Sequence, residues 1–253
     1  MRRGFWYTLG MNKQDNLDRI RIVLVGTQDG ANIGSVCRAM KTMGLTRLVL
    51  VTEREYAENR VKSLAIHAAD LYENREQYTS LAEALKKSVL SIAATRRRGK
   101  FRKATCVNPE QLAEQLSGIG EGDISIVFGR ESDGLTDEEV ACCGEVVTIP
   151  SSEKFPSLNL SQAVQVITYS LFSHLHDSDV KLTPVTKAKL DGGVEQVVAV
   201  MDKVGFFKMP DEKLWTQRFI HDIFERAQMS EEELKRMTKL FVKMTTIAKY
   251  KSN

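Results

Sequence analysis

Three short stretches carry residues that could do chemistry. The first is NIGSVCRA at 32–39, which follows the strand-like run IRIVLVG (20–26) and the polar loop TQDGA. Asn32 suits a helix cap, and Ile33, Val36, Cys37 and Met40 recur at helical spacing and face a core. Gly34 and Arg38 fall on another face, four residues apart. The second stretch is FGRESDGLT at 128–136, where Gly129, Arg130 and Glu131 follow a strand directly and Gly134 reads as a turn. The third is IPSSEKFPSLNLSQA at 149–163, a Pro/Ser loop leading into a long helix. A parallel sheet binds ligands beyond the carboxyl ends of its strands, which is where all three lie. Each has an ordinary reading when taken alone. Asn32 is a cap, Arg38 a surface arginine, Arg130–Glu131 a local ion pair, and Ser157 and Asn159 cap the helix that follows.

Other chemistries find no support. GTQDGANIG after the first strand is not G-x-G-x-x-G and lacks the acidic residue at the ribose distance. No P-loop and no G-x-S-x-G elbow is present. Cys37, Cys106, Cys142 and Cys143 form no C-x-x-C pair, and the four histidines are scattered. That argues against a zinc site and against a disulfide framework. Reduced thiols predict a cytoplasmic protein. No apolar run reaches the roughly 18–20 residues of a membrane span.

The elements that must position these stretches alternate in type. Strand-like runs at 20–26, 47–51, 88–94, 123–129 and 145–150 are separated by helical ones. The helical runs include 61–69, 80–87 with a Ser80/Glu83 capping box, and 108–116 with Asn108 and Pro109 at its start. They continue with 136–143, which has a Thr136/Glu139 box, and 157–175. This alternation predicts an α/β domain with a mainly parallel sheet covered on both faces. The expected division is an extension at 1–17, with Met11 as a second possible start, then an α/β domain at 18–176. A polar, proline-bearing linker at 177–186 and a purely helical segment at 187–253 follow. The last helix starts with a Ser230/Glu233 box and shows an apolar stripe of Leu234, Met237, Phe241, Met244 and Ala248.

The 253 residues carry a formal net charge of +3. From 185 to 253 there are 13 Lys/Arg against 10 Asp/Glu, and the rest of the chain balances at 23 of each. Lys235, Lys239 and Lys243 form a basic stripe beside Arg236. RRRGKFRK at 96–103 has six basic residues in eight and follows a strand end, which fits phosphate binding.

Taken together, N-x-G-S-x-x-R-A, FGRE-x-x-GL and IP…SLNLS-x-A resemble the three motifs of the SpoU/TrmH class of SPOUT RNA 2′-O-methyltransferases, in the same order. The likeness covers roughly residues 18–175 and is nearest to the TrmJ-type tRNA methyltransferases. It implies an α/β fold with a deep C-terminal trefoil knot, a homodimer with the active site near the subunit interface, and S-adenosylmethionine as cofactor. It carries cofactor contacts onto Ala93, Ala94, Thr95, Gly129, Ile149, Pro150, Pro156, Ser157 and Leu158. It makes Arg38 the central catalytic residue, with Asn32, Ser157 and Asn159 beside it. In that setting Gly34 keeps the helix low for RNA or the knot loop to approach. Arg96, Arg97, Arg98 and Arg102 of the basic run, with Arg130 and Glu131, are expected to meet RNA. The implied substrate is a ribose 2′-OH of tRNA, at position 32 of the anticodon loop on cytidine or uridine. The alternatives are the same reaction on ribosomal RNA, an inactive RNA-binding relative and, on the α/β alternation alone, a dinucleotide oxidoreductase. No metal and no membrane partner is implied.

Overall fold

The computed structural model describes residues 13–96, 106–175 and 182–250. The chain divides near residue 182 into two compact units.

The first unit is built on seven strands: β1 (Ile20–Val25), β2 (Arg47–Val51), β3 (Glu76–Tyr78), β4 (Ser88–Ala94), β5 (Cys106–Val107), β6 (Asp123–Phe128) and β7 (Glu145–Val147). Their spatial order is β3-β2-β1-β6-β4-β7-β5, and every neighbouring pair is parallel. The helices between them are α1 (Lys13–Asp18), α2 (Gly30–Thr42), α3 (Glu58–Ala65), α4 (Ala69–Glu73), α5 (Leu81–Leu85), α6 (Pro109–Ser117), α7 (Asp137–Ala141) and α8 (Leu160–His174).

Period-two alternation assigns the strand side chains to two layers. Ile20, Ile22 and Leu24 join Ile124, Ile126, Leu48 and Leu50 against α2, α6 and α8. Val23, Val25, Val49, Val127, Ala93 and Val146 face the other way, against α5 and α7. Arg21 is buried on that second face at the amino ends of the strands. It binds Glu76 at 2.9 and 3.3 Å, the Ala84 carbonyl at 2.7 Å and Ser125 Oγ at 3.3 Å. A buried charge is tolerated when it is paired and hydrogen-bonded in this way. Arg19 plays a similar part at the end of α6, donating to the carbonyls of Leu116, Ile119 and Gly120.

Several expectations need correction. Helix α2 starts at Gly30, and its cap is Asp29, which accepts from Ala31 N at 2.9 Å. Asn32 is therefore inside the first turn, and its side chain is free for other work. The run at 61–69 is interrupted: α3 ends at Ala65, and Ile66 takes φ +51° before a 3-10 turn at Ile66–Ala68. The Ser80/Glu83 box does not form, because Glu83 pairs with Lys86 at 2.6 Å. The boxes at Thr136/Glu139 and Ser230/Glu233 do form. Strands β3 and β5 are too short to register as apolar runs.

The second unit holds α9 (Lys187–Lys203), α10 (Pro210–Arg226) and α11 (Glu231–Tyr250). Its core is Val185, Leu190, Val194, Val197, Val198, Phe224, Met229 and Leu234. Gly193 lets α11 come close, since a Cβ there would lie 2.7 Å from Leu234 Cδ1. The α11 stripe is only partly used: Leu234 is buried and Met237 and Phe241 pack on the core, but Met244 is exposed.

Candidate functional site

The carboxyl ends of β4, β6 and β7 open into one cavity of about 220 Å³. Its walls are apolar: Ala94, Phe128, Val147, Ile149, Leu158, Leu160, Ala163 and Ile167. Its rim is polar and comes from Thr95 and Arg96, from the loop Gly129–Gly134, and from Pro156 and Ser157.

Each loop has a local cause. The Gly129–Gly134 loop is closed by two backbone bonds, Arg130 N to Gly134 O at 3.2 Å and Gly134 N to Arg130 O at 2.9 Å. Gly134 takes φ +72°, a glycine conformation. A Cβ at Gly129 would lie 2.1 Å from the Gly134 carbonyl carbon, so no larger residue fits there. Arg130 braces the loop from below, bound through both terminal nitrogens to Glu139 at 2.9 Å, and this bond raises its pKa. After β4, Thr95 N donates to Val147 O at 3.1 Å and Thr148 Oγ1 donates to Thr95 O at 2.8 Å.

The three sequence stretches meet in one hydrogen-bond chain, of which Glu131 lines the cavity and Asn32 and Asn159 do not. Glu131 accepts from Asn32 Nδ2 at 2.7 Å and from Gln28 N at 2.9 Å. Asn32 Oδ1 in turn accepts from Asn159 Nδ2 at 3.2 Å. Asn159 caps α8 by accepting from Ser161 N at 2.9 Å. Arg130 and Glu131, adjacent in sequence, thus do not pair with each other.

A second tier was not foreseen. The loop between β2 and α3 grips the segment before α2. Arg54 donates to Gln28 O at 2.7 Å, Tyr56 Oη to Thr27 O at 2.6 Å, and Arg60 binds Asp29 twice at 2.6 Å. The Arg60 hydrogen bonds hold the Asp29 carboxyl far below the usual carboxylate range. The only signal was TEREYAENR, with two arginines and a tyrosine, after the strand next to β1.

Of the residues expected at the cofactor, Ala94, Thr95, Gly129, Ile149, Pro156, Ser157 and Leu158 line the cavity. Ala93 does not; it is fully buried on the α5/α7 side of the sheet. Pro150 is exposed and outside the lining. Arg96, Arg130 and Glu131 line the cavity too, whereas Arg97, Arg98 and Arg102 lie outside the described residues. Arg38 is exposed on α2, and its guanidinium makes no hydrogen bond or ion pair among the described residues. It is six residues beyond Asn32, about 9 Å along the helix, and does not line the cavity.

Gly34 has a different role from the one expected. A Cβ there would lie 2.2 Å from the Val61 carbonyl oxygen and 2.8 Å from Ala65 N. The closely approaching group is α3, which covers this face and leaves no room for RNA or a knot loop.

The cavity is lined by no histidine, cysteine or lysine; its hydroxyls are Thr95, Ser132 and Ser157 and its carboxylates Glu131 and Asp133. Cys37 is inert, since burial pushes its thiol up to about 12. No group of His, Cys, Asp and Glu able to hold a metal occurs among the described residues. No helix of the described residues is long and apolar enough to cross a membrane. The arrangement suits binding and alignment of an already activated molecule.

A parallel α/β sheet with its cleft beyond the strand ends, braced by residues from three separated stretches, defines a ligand-binding α/β enzyme fold. Comparison with known proteins narrows this. Residues 19–169 match the SpoU rRNA Methylase family, and the chain belongs to that family. It is 36% identical over 156 residues to a tRNA (cytidine-2′-O-)-methyltransferase TrmJ from Methanocaldococcus jannaschii, covering 61% of this chain and 67% of the relative. It is 33% identical over 228 residues to a tRNA (cytidine/uridine-2′-O-)-methyltransferase TrmJ from Cronobacter sakazakii, covering 86% and 92%. Some other relatives are spanned over less than two thirds of their own length, 63% and 61% in two cases. The crystal structure of TrmJ from Z. mobilis ZM4 superposes with a TM-score of 0.74 at 27% identity, covering 88% of this chain and 98% of that one.

Proposed function

We propose that this protein transfers a methyl group from S-adenosylmethionine to a ribose 2′-OH of tRNA, at position 32 of the anticodon loop. The observation that carries the reading is the chain Glu131–Asn32–Asn159, which ties all three motifs together and reaches the cleft through Glu131. The residues present fit the donor. The apolar walls of Ile149, Leu158, Ala163 and Ile167 suit a purine, and the charged rim suits an amino-acid tail. The donor supplies an electrophilic methyl on a sulfonium. The chain's own residues bind, orient and exclude water. Glu131 and Asn159 fix Asn32, and the two Arg130–Gly134 bonds fix the loop above the cleft. Arg38, whose guanidinium has no hydrogen bond or ion pair among the described residues, orients the hydroxyl and its neighbouring phosphate through its fork of donors.

The reading includes a homodimer and a trefoil knot formed by the segment after β7. Helix α8 buries Leu160, Val164, Ile167 and Leu171 against its own sheet while leaving Val166, Tyr169 and Phe172 exposed in a stripe. That second apolar face suits a partner subunit. Arg38 lies outside its own subunit's cleft, which suits a site completed across the dimer. Arg97, Arg98 and Arg102 are assigned to RNA phosphates, and the unit from Thr183 onward to anchoring tRNA, in the cytoplasm.

The test is nucleoside mass spectrometry of unmodified tRNA and ribosomal RNA incubated with the purified protein and S-adenosylmethionine. A 2′-O-methylated pyrimidine in tRNA is expected. Methylation confined to ribosomal RNA moves the substrate to that RNA, and none in either refutes the activity.

A further inference from the structure

Four charged side chains line the cleft, and they divide into two kinds. Arg130 and Glu131 are consumed internally: Arg130 by Glu139, Glu131 by Gln28 N and Asn32. Arg130 is further boxed in by Gly26, whose Cβ position lies 2.8 Å from Arg130 Nε. Arg96 and Asp133 are different. Arg96 is exposed, and its guanidinium has no hydrogen bond or ion pair among the described residues. Asp133 is held only by its neighbour Ser132, whose Oγ donates to Oδ2 at 2.8 Å, leaving Oδ1 open. One unengaged cation and one half-engaged anion therefore face the same apolar-walled cavity.

We propose that these two residues hold the zwitterionic end of the methyl donor, Arg96 its α-carboxylate and Asp133 its α-ammonium. This rests on the methyl-donor reading above and names the residues that would recognise the amino-acid tail. A zwitterion leaving water for a cleft needs a partner for each charge. A guanidinium fork matches a carboxylate, and a carboxylate oxygen accepts from an ammonium. No other charged group lining the cavity has that capacity left. The assignment takes Arg96 away from the RNA backbone, where its place at the head of RRRGKFRK would put it. Arg96 continues β4 directly, after Ala94 and Thr95, and lines the cleft with them.

Calorimetric titration of the full-length protein with two probes tests this. S-adenosylhomocysteine carries the amino-acid tail; 5′-methylthioadenosine has the same nucleoside and sulfur without it. Arg96→Ala is expected to weaken S-adenosylhomocysteine about tenfold and methylthioadenosine by no more than about twofold, with Asp133→Asn acting in the same direction. Arg96→Lys should recover part of the loss. Equal loss of both probes overturns the proposal, because the arginine would then only shape the cavity. Unchanged S-adenosylhomocysteine binding with a flatter salt dependence of tRNA binding also overturns it and returns Arg96 to the RNA. A wild-type protein that binds neither probe fails the methyl-donor reading itself, a result distinct from all the others.

Discussion

Gly34→Ala tests how helix α2 is seated against α3. The new methyl would lie 2.2 Å from the Val61 carbonyl oxygen, 2.8 Å from Ala65 N and 2.9 Å from Leu64 Cβ. Two of these atoms are backbone and cannot rotate away. A carbon–oxygen contact settles near 3.3 Å, so α3 must retreat by roughly 1 Å. Val61 and Ala65 are fully buried against α2, and a gap of that size forfeits roughly a quarter to a half of each dispersion contact there. Overpacking of this kind costs about 1–3 kcal/mol. For a chain of this size that is roughly 2–12 °C in Tm. Gly192→Ala is the control, because nothing lies within 4 Å of its Cβ position in α9. It should be neutral or stabilising by up to about 1 kcal/mol. Thermal melts followed by circular dichroism read both variants. A Gly34→Ala protein that melts within about 1 °C of wild type refutes the packing argument, since the cost computed from overpacking would then be absent. If the same variant also lost tRNA binding, the glycine would serve RNA approach after all.

Three further outcomes are expected. Glu131→Ala should cost only about 1–2 kcal/mol of stability, because its partners Gln28 and Asn32 can reach water, yet lower methyl transfer roughly 100-fold by releasing Asn32; near-normal turnover in a methylation assay would dissociate the chain Glu131–Asn32–Asn159 from function. Arg38→Ala should abolish turnover while leaving the melting curve and S-adenosylhomocysteine titration unchanged, since the side chain has no partner among the described residues; a variant with substantial turnover removes Arg38 from the central role. The Asp29 carboxyl is depressed by Arg60, so its stabilisation is present above the unfolded carboxylate range near pH 4 and is lost as pH falls below it. Urea midpoints at pH 3 and pH 6 should therefore differ less in Asp29→Asn than in wild type, and an equal difference shows that the pair contributes nothing.

What the sequence could disclose depended on the range of the forces involved. Strands β1, β2, β4 and β6 were legible because a strand buried on both faces must be apolar throughout, and IRIVLV and DISIVF are nearly so. Arg21 is the informative exception. It reads as a surface residue in a strand, yet it is buried because Glu76, 55 residues away, meets it across the sheet. Strand β3, which supplies Glu76, was invisible for the same reason: EQY has no apolar pattern, and its pairing to β2 alone makes it a strand. Helix starts fared unevenly because several capping residues compete locally. Asp29 outcompetes Asn32 for the cap of α2, since its carboxylate is already held in place by Arg60.

That competition has a functional consequence. A capping asparagine would spend its side-chain oxygen on the helix's own backbone. Displaced by one turn's start into the helix, Asn32 keeps both ends of its amide, donating to Glu131 and accepting from Asn159. The chain therefore depends on an acid at position 29, which in turn depends on Arg60 from the next crossover. Residues from four segments, at 29–32, 60, 131 and 159, must be in register before this hydrogen-bond chain beside the cleft exists. The chain is thus a tertiary property with no local sequence signature beyond the residue types themselves. It also explains why each stretch, read alone, offers only a cap, a surface arginine or an ion pair. Arg130 and Glu131 look like that ion pair, but the fold separates them. Glu139 takes the arginine and Asn32 takes the glutamate, so the same two charges brace opposite sides of one loop.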